Sequence, residues 1–312
     1  PSLRHLWFDN RHLLGDAAGQ ALCAALEAMG ARPREIILAT GDRLAALSLT
    51  LAQAFCRTAP AAWRAFGAQG FARWVQIGER LAGEEPASRE GAVAYFAVDP
   101  HSLSHLGLDV AEEWVAIGRD TLKVSRRLGT QFLQTSAPLL TSLPAPVPAR
   151  LRAWADHGSV LLGAKGWKGE FLAAAYFEAA PAALPVLSGE EMAAWARLGL
   201  LVQDSGPWTF YASLPDRFVV LAAHERMSLL VSCQEAAALA AKAAAEIFFR
   251  LPPVLAGLPA ELRAFLIALL GPAIRVDPEA VPSYIPLLVP LLKALDLGHR
   301  PRLREELAAL AR

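Results

Sequence analysis

The chain has 312 residues, of which 54% are hydrophobic and 19% are charged, a composition that excludes a disordered protein and predicts a substantial core. Thirty Lys and Arg residues balance thirty Asp and Glu residues, so the net charge gives no argument for a nucleic-acid partner. The cysteines Cys23, Cys56 and Cys233 have neither disulfide-framework nor metal-ligand spacing. We therefore expect a reducing compartment and a cytoplasmic protein.

No segment is predicted to span a membrane. The longest uncharged stretch, residues 128–149, contains four prolines, a density that a bilayer-spanning helix would not carry. The apolar segment 281–292 is too short to span and contains three prolines of its own.

The chain is predicted to be one stack of helical repeats between two caps. Asp16 can cap a first helix over residues 17–29, which Gly30 can end. We assign residues 1–32 to this N-terminal capping helix and residues 33–259 to the repeats. Residues 260–312 are assigned to a degenerate last repeat and a capping helix that Pro301 opens.

The repeats are marked by tryptophans that are each followed by a glycine four residues later, at steps of about 40 residues. The pairs are Trp74 and Gly78, Trp114 and Gly118, Trp154 and Gly158, and Trp195 and Gly199. Residues i and i+4 share one helix face, so each pair predicts one helix. Glycine costs about 1 kcal/mol relative to alanine in a helix. Its recurrence therefore predicts that the backbone of a neighbouring helix passes close by.

A second marker is an aromatic residue about one turn before a proline. The prolines are Pro60, Pro100, Pro138, Pro181, Pro215 and Pro252. Because proline lacks the amide hydrogen and disfavours helix in the preceding residue, each one predicts the end of a second helix. Apolar residues three and six positions later predict a short third turn. The step from proline to tryptophan is equal in three copies and two residues longer in the fourth.

Two helices per repeat of about 40 residues, in about six to seven degenerate copies, predict an all-α solenoid of the HEAT-like or armadillo-like type. Period-two alternation is scarce, so strands are not expected in quantity. The carboxylate pairs Glu112-Glu113 and Glu190-Glu191 precede a tryptophan and are expected to enrich a helix N-terminus in negative charge. No catalytic residue and no cofactor are expected.

Two patterns resemble chemical sites. His101 and His105 stand four residues apart and would face one metal ion if their segment is helical. With only two good ligands, a solvated connection between repeats is the favoured interpretation, and no metal is expected. Residues 158–166 are the nearest match to a phosphate loop, but Ala164 displaces the lysine and no hydroxyl follows.

The repeat pattern resembles the helical region that precedes a von Willebrand factor A domain in bacterial proteins of the NorD and CbbO type. The matching copies within residues 33–260 are WVQIGERL with YFAVDPHSLSHL, WVAIGRDTL with FLQTSAP, WADHGSVL with YFEAAPAALPVL, and WARLGLL with FYASLP. Such proteins partner MoxR-class AAA+ ATPases, so the resemblance implies an adaptor between an ATPase and its client. The metal-binding Asp-x-Ser-x-Ser of the A domain is missing from this sequence. The resemblance thus implies a repeat module of a longer protein or a stand-alone relative.

We therefore expect a non-enzymatic scaffold that binds a protein partner, which the resemblance makes an AAA+ ATPase or its client. One alternative is a HEAT-like nucleic-acid-binding or base-repair protein, although acidic residues interrupt its basic groove and nucleic acid is not expected. The arginines of that groove would be Arg64, Arg73, Arg80, Arg126, Arg127, Arg150 and Arg152. The other alternative is a helical enzyme with a concave-face site, where His101, His105 and His157 would be tested first.

Overall fold

The structure is a computed structural model that describes residues 16–294 except 85, 144, 164–167, 204–209, 211–213 and 215–216, together with residues 302, 305 and 309. These residues form fourteen α-helices and no strand, so the prediction of an all-α protein is confirmed. The helices are α1 (Asp16–Glu27), α2 (Ala31–Leu47), α3 (Leu49–Glu84), α4 (Pro86–Ala97), α5 (Pro100–Leu106), α6 (Leu108–Val124), α7 (Arg126–Ser136), α8 (Val147–Val160), α9 (Lys168–Ala179), α10 (Gly189–Val202), α11 (Ala223–Leu239), α12 (Ala241–Ala256), α13 (Ala260–Val276) and α14 (Val281–Ala294). Short 3₁₀ turns cover Ala137–Leu139, Leu161–Gly163, Ala180–Ala182 and Phe218–Val220.

Two compact units divide the chain, unit 1 with residues 1–155 and unit 2 with residues 156–312, and the division falls inside α8. The predicted boundary at residue 33 lies in the first turn of α2, and the one at residue 260 coincides with the start of α13. The capping roles of the two ends stay predictions. The final predicted helix falls largely outside the described residues, and so do Pro215 and Tyr211 of the fifth proline marker.

Single extended residues join the first and second helices of several repeats. Ser48 joins α2 to α3, Ser125 joins α6 to α7, and Ala240 joins α11 to α12. Each donates its amide to the carbonyl four residues earlier, and its own carbonyl accepts the amide four residues later. One residue thus ends the first helix and starts the second.

Among the described glycines, the two that lie closest to the backbone of another segment are at the start of second helices. A Cβ on Gly129 of α7 would lie 2.6 Å from the Cα of Leu122, and a Cβ on Gly169 of α9 would lie 2.8 Å from the carbonyl oxygen of Leu162. A larger side chain would push the two helices of the repeat apart. Backbone contact therefore occurs at these glycines, which the tryptophan pattern does not mark.

The proline prediction is right for some repeats and wrong for others. Helices α7 and α9 end before Pro138 and Pro181, each of which is the second residue of a 3₁₀ turn. Pro60 instead lies inside α3 and Pro252 inside α12. Both of these prolines are buried, and packing on either side holds the helix across the missing hydrogen bond. The break in α3 comes at Gly67, whose φ is 66°.

Each repeat tryptophan packs on the aromatic residue of the preceding second helix. The ring centroids are 5.8 Å apart for Phe55 and Trp74, 5.8 Å for Tyr95 and Trp114, 5.5 Å for Phe132 and Trp154, and 5.3 Å for Tyr176 and Trp195. All four tryptophans are fully buried. Such pairs add about 0.5–1.5 kcal/mol beyond the burial of their area, so the same stabilising contact recurs at each step.

A side chain covers the glycine after three of the four tryptophans, so the predicted backbone contact is wrong at these three positions. The nearest atoms to an added Cβ would be 2.1 Å away for Gly78 and Phe96, 2.2 Å for Gly118 and Leu133, and 2.2 Å for Gly158 and Phe177. Each covering residue directly follows the aromatic residue that packs on the next tryptophan. Adjacent residues of one second helix therefore contact two successive first helices.

Candidate functional site

Exposed ion pairs in unit 1 link residues about one repeat apart. Arg73 and Arg80 both contact the Glu112 carboxylate, at 3.0 and 3.5 Å, and Arg152 reaches Asp120 at 3.5 Å. The hydrogen bond from Arg73 is the main reason that the pKa of Glu112 lies below its usual value. Three arginines of the predicted basic groove are thus paired with carboxylates.

A buried ion pair links α10 to α11 in unit 2. Glu191 accepts the Ser188 amide at 2.6 Å and the Arg226 Nε at 2.7 Å. The two charged side chains are only 3% and 7% exposed. Arg226 also donates to the carbonyl oxygen of Leu221 at 2.5 Å. The pair therefore combines a helix cap with a contact between repeats.

The same arrangement recurs one repeat later. Glu225 accepts the Ala222 amide at 2.9 Å and the Arg263 Nε at 2.7 Å, and Arg263 donates to the carbonyl of Leu258. Burial raises the pKa of Glu225, but the hydrogen bonds from Arg263 and Ala222 and the positive charges of Arg263 and His224 together outweigh it, so the pKa lies below its usual value. We call Glu191, Arg226, Glu225 and Arg263 the buried ion-pair ladder.

Sequence reasoning missed this ladder. It placed Glu190 and Glu191 at a helix N-terminus, and both are in the first turn of α10. Glu112 is the fifth residue of α6, and there the prediction is wrong. A usable signal was the arginine three residues before Leu229 and again before Leu266, the two leucines at the projected tryptophan positions.

His101 and His105 are both exposed on α5, with their Nε2 atoms 3.3 Å apart. That separation would let both nitrogens bind one metal ion at about 2.0–2.1 Å. Within the described ranges, no cluster of three His, Cys, Asp or Glu side chains could hold a metal. His157 belongs to α8 in unit 2, where burial is the main cause of its lowered pKa. The expectation that no metal binds stays a prediction.

The segment that most resembles a phosphate loop, residues 158–166, lies partly outside the described residues. Its Gly158 is a buried position of α8 beneath the Phe177 ring. This glycine therefore belongs to the repeat packing.

A cleft of about 490 Å³ opens in unit 2 where α12 and α14 begin. Its polar lining comes from Lys242 and Glu246 of α12 and from Glu279 and Ser283 at the start of α14. Among the residues that the structure describes, Lys242 and Glu279 have no ion-pair partner, and both are exposed. The remaining lining is alanine and one proline. The volume is within the range of ligand-binding pockets, roughly 300–1,000 Å³.

Exposed apolar side chains flank the cleft lining along the chain. Leu239 precedes it at the end of α11, Val276 ends α13, and Tyr284 and Leu287 follow on α14. Their exposed fractions are 59%, 47%, 55% and 52%, respectively. Leu287 shares a helix face with Ser283, four residues earlier.

Helices α11 and α13 run parallel, which brings their ends to one edge of unit 2. Near their starts Arg263 contacts Glu225, and near their ends a Cβ on Gly271 would lie 3.6 Å from Glu235 Oε2. The residues that follow both helices form the cleft lining. The cleft therefore lies at the edge of unit 2 where α11 is followed by α12 and α13 is followed by α14.

No protein-family model, curated protein or solved structure matches the chain. In the part of the chain that the structure describes, no helix is long and apolar enough to cross a membrane. The resemblance to the repeat region of NorD-type and CbbO-type proteins stays a prediction carried by the repeated residues. What we propose for this chain rests on its own contacts.

Proposed function

We propose that this chain is an α-solenoid scaffold that binds a protein partner and catalyses no reaction itself. The observation that carries this proposal is one aromatic contact that recurs at a step of about 40 residues, three times in unit 1 and once in unit 2. Repeat proteins bury the face of each repeat against its neighbours and bind partners on the extended concave surface that the stack creates.

The polar contacts support the same proposal. Ion pairs join residues 32 to 39 positions apart, such as Arg80 with Glu112 and Arg73 with Glu112 in unit 1, and Arg226 with Glu191 in unit 2. Charged side chains that pair between successive repeats stabilise the packing of those repeats, so their charges are not available to a partner. The charges of Lys242 and Glu279 are unpaired within the described residues and stay available to a partner.

The partner that the resemblance suggests is a MoxR-class AAA+ ATPase or a client of that ATPase. Under this proposal the chain is an adaptor module in the cytoplasm. A purified ATPase of this class would form a stoichiometric complex with the chain, and the complex would change the rate of ATP hydrolysis.

The test is affinity purification of the tagged chain from its source organism, followed by mass spectrometry. We expect one protein in stoichiometric amount, and an AAA+ ATPase would identify the adaptor role. Co-purified nucleic acid would favour the HEAT-like nucleic-acid protein. Turnover of a small molecule without any protein partner would overturn the scaffold proposal.

A further inference from the structure

We infer that the cleft at the start of α12 and α14 is the docking site for a peptide segment of the protein partner. The segment is one that carries an acidic and a basic residue on either side of apolar side chains. This inference rests on the proposed function, since it names the surface and the chemistry through which the scaffold binds.

The charges of the cleft argue for a segment with both signs. Lys242 and Glu279 have opposite charges, line the same cleft and lack partners among the described residues. A carboxylate of the partner would pair with Lys242, and a cation of the partner would pair with Glu279. Complementary charges of this kind fix the direction and register of a bound segment.

The apolar groups argue for a peptide rather than a small molecule. Leu239 and Val276 stand at the edge, while Tyr284 and Leu287 continue along α14 beyond the cleft. A small ligand held within the cleft would leave these four side chains in water. A peptide several residues long that continues past the cleft along α14 would cover Tyr284 and Leu287, and aromatic residues buried on binding often dominate the energy of interfaces.

The shape and the acidic lining argue against nucleic acid. Glu279 lines the cleft and would repel phosphate groups, whose neutralisation by Lys and Arg provides most of the affinity for nucleic acids. The Glu246 carboxylate also lines the cleft, and its charge is already paired with Arg250 at 3.3 Å. Ala240, Ala241 and Ala243 leave room for the side chains of a peptide because their own are small. The cleft therefore fits a peptide with mixed charge.

The experiment places a photoreactive phenylalanine analogue at position 284 of the full-length tagged chain and irradiates it in lysate of the source organism. A matched chain carries the analogue at Val220, which is 69% exposed in the same unit. We expect a covalent adduct with one protein from position 284 and none from position 220. Mass spectrometry then identifies the segment of that protein that bears the cross-link.

A synthetic peptide with the cross-linked sequence provides the decisive measurement, by fluorescence anisotropy. We expect Lys242→Glu and Glu279→Lys each to weaken binding by about tenfold or more, because each sets like charges against one another. Arg197→Glu and Glu261→Lys change the net charge equally at exposed positions outside the cleft and should change affinity by less than about twofold. A peptide with its two charges exchanged should recover binding to the double variant.

Several results would overturn the inference. These are no adduct at position 284, equal adducts at positions 284 and 220, an adduct only with a second copy of this chain, or unchanged peptide affinity in the charge variants. The circular-dichroism melting curves of the variants establish that each remains folded. If purification gives a stoichiometric partner but position 284 gives no adduct, the cleft inference fails and the scaffold proposal stands. If neither experiment gives a partner, the cleft inference and the scaffold proposal both fail.

Discussion

The two units hold successive repeats together in different ways. In unit 1, a tryptophan packs on an aromatic residue at each step, and the ion pairs between repeats are exposed. In unit 2, Trp195 still packs on Tyr176, but leucines at positions 229 and 266 stand where the earlier copies have tryptophan, and there the buried ion-pair ladder links the first helices. Successive copies at a similar spacing can thus be held together by aromatic stacking or by a buried polar network. The two kinds of contact should fail under different conditions.

Removing an arginine of the ladder should have the largest effect. Arg226→Ala leaves the Glu191 carboxylate buried without its cation, and we expect a loss of about 3–5 kcal/mol in the free energy of unfolding. Arg43→Ala is the matched control, because Arg43 pairs with Glu79 at the surface with 58% of its side chain exposed, and its loss should be much smaller. Urea unfolding followed by tryptophan fluorescence measures both.

Two buried thiols would localise that loss to one unit. Burial raises the pKa of Cys56 in unit 1 to about 12, with a smaller contribution from Asp42, and burial also raises the pKa of Cys233 in unit 2. In a Cys23→Ser background, Arg226→Ala should speed the labelling of Cys233 and leave that of Cys56 unchanged. Equal losses in the two arginine variants, or faster labelling of Cys56 alone, would contradict the proposed role of the ladder.

Filling the glycine positions of unit 1 should have the next largest effect. The methyl group of Gly78→Ala would lie 2.1 Å from the Phe96 ring, and we expect overpacking to cost about 1–3 kcal/mol. Gly83→Ala on the same helix meets nothing within 4 Å and should be neutral or slightly stabilising. Thermal unfolding measures both variants. Similar melting temperatures would show that the Phe96 ring moves aside freely.

Acid should weaken unit 2 through the ladder. Because the pKa of Glu225 is lowered in the folded state, its contribution is present above the unfolded pKa of about 4.3 and is lost as the pH falls through the folded value. Glu225→Gln should be less stable at neutral pH and should lose less stability on acidification. Glu279→Gln, at an exposed carboxylate, should keep the wild-type pH profile. Urea midpoints between pH 3 and 7 provide the comparison, and parallel profiles for all three proteins would rule out this role of Glu225.

The histidine pair should give the smallest effect. Two ligands fill only two of the four positions around a zinc ion, so protein purified without added ions should contain clearly less than one equivalent of zinc. His101→Ala should not change the melting temperature. One equivalent of zinc that is lost in His101→Ala would instead favour the helical enzyme.

Sequence periodicity predicted the helices because large side chains at a fixed helical spacing can be buried only against neighbouring copies. It did not predict that the aromatic residue before each proline packs on the next tryptophan. The periodicity could not predict which atoms cover Gly78. The distance between the crossing helices decides whether a ring or a backbone lies against the glycine, and a sequence pattern does not give that distance. The pairing of Glu191 with Arg226 was equally hidden, because 35 residues separate them and only the packed helices bring them together. The cleft combines residues that start two different helices, and no local pattern marks them.

The single-residue junctions restrict where this chain can change length. One extra residue at Ser125 would rotate α7 by about 100° relative to α6 and would carry Phe132 and Leu133 away from the tryptophan and glycine that they cover. The connection from Pro138 to Trp154 is already two residues longer than its counterparts, and the aromatic contact at Trp154 is intact. Insertions and deletions in related genes should therefore accumulate between repeats and be excluded from the junctions within them. A scan of single-codon insertions would reproduce that pattern as a regular alternation of tolerant and intolerant sites along the gene.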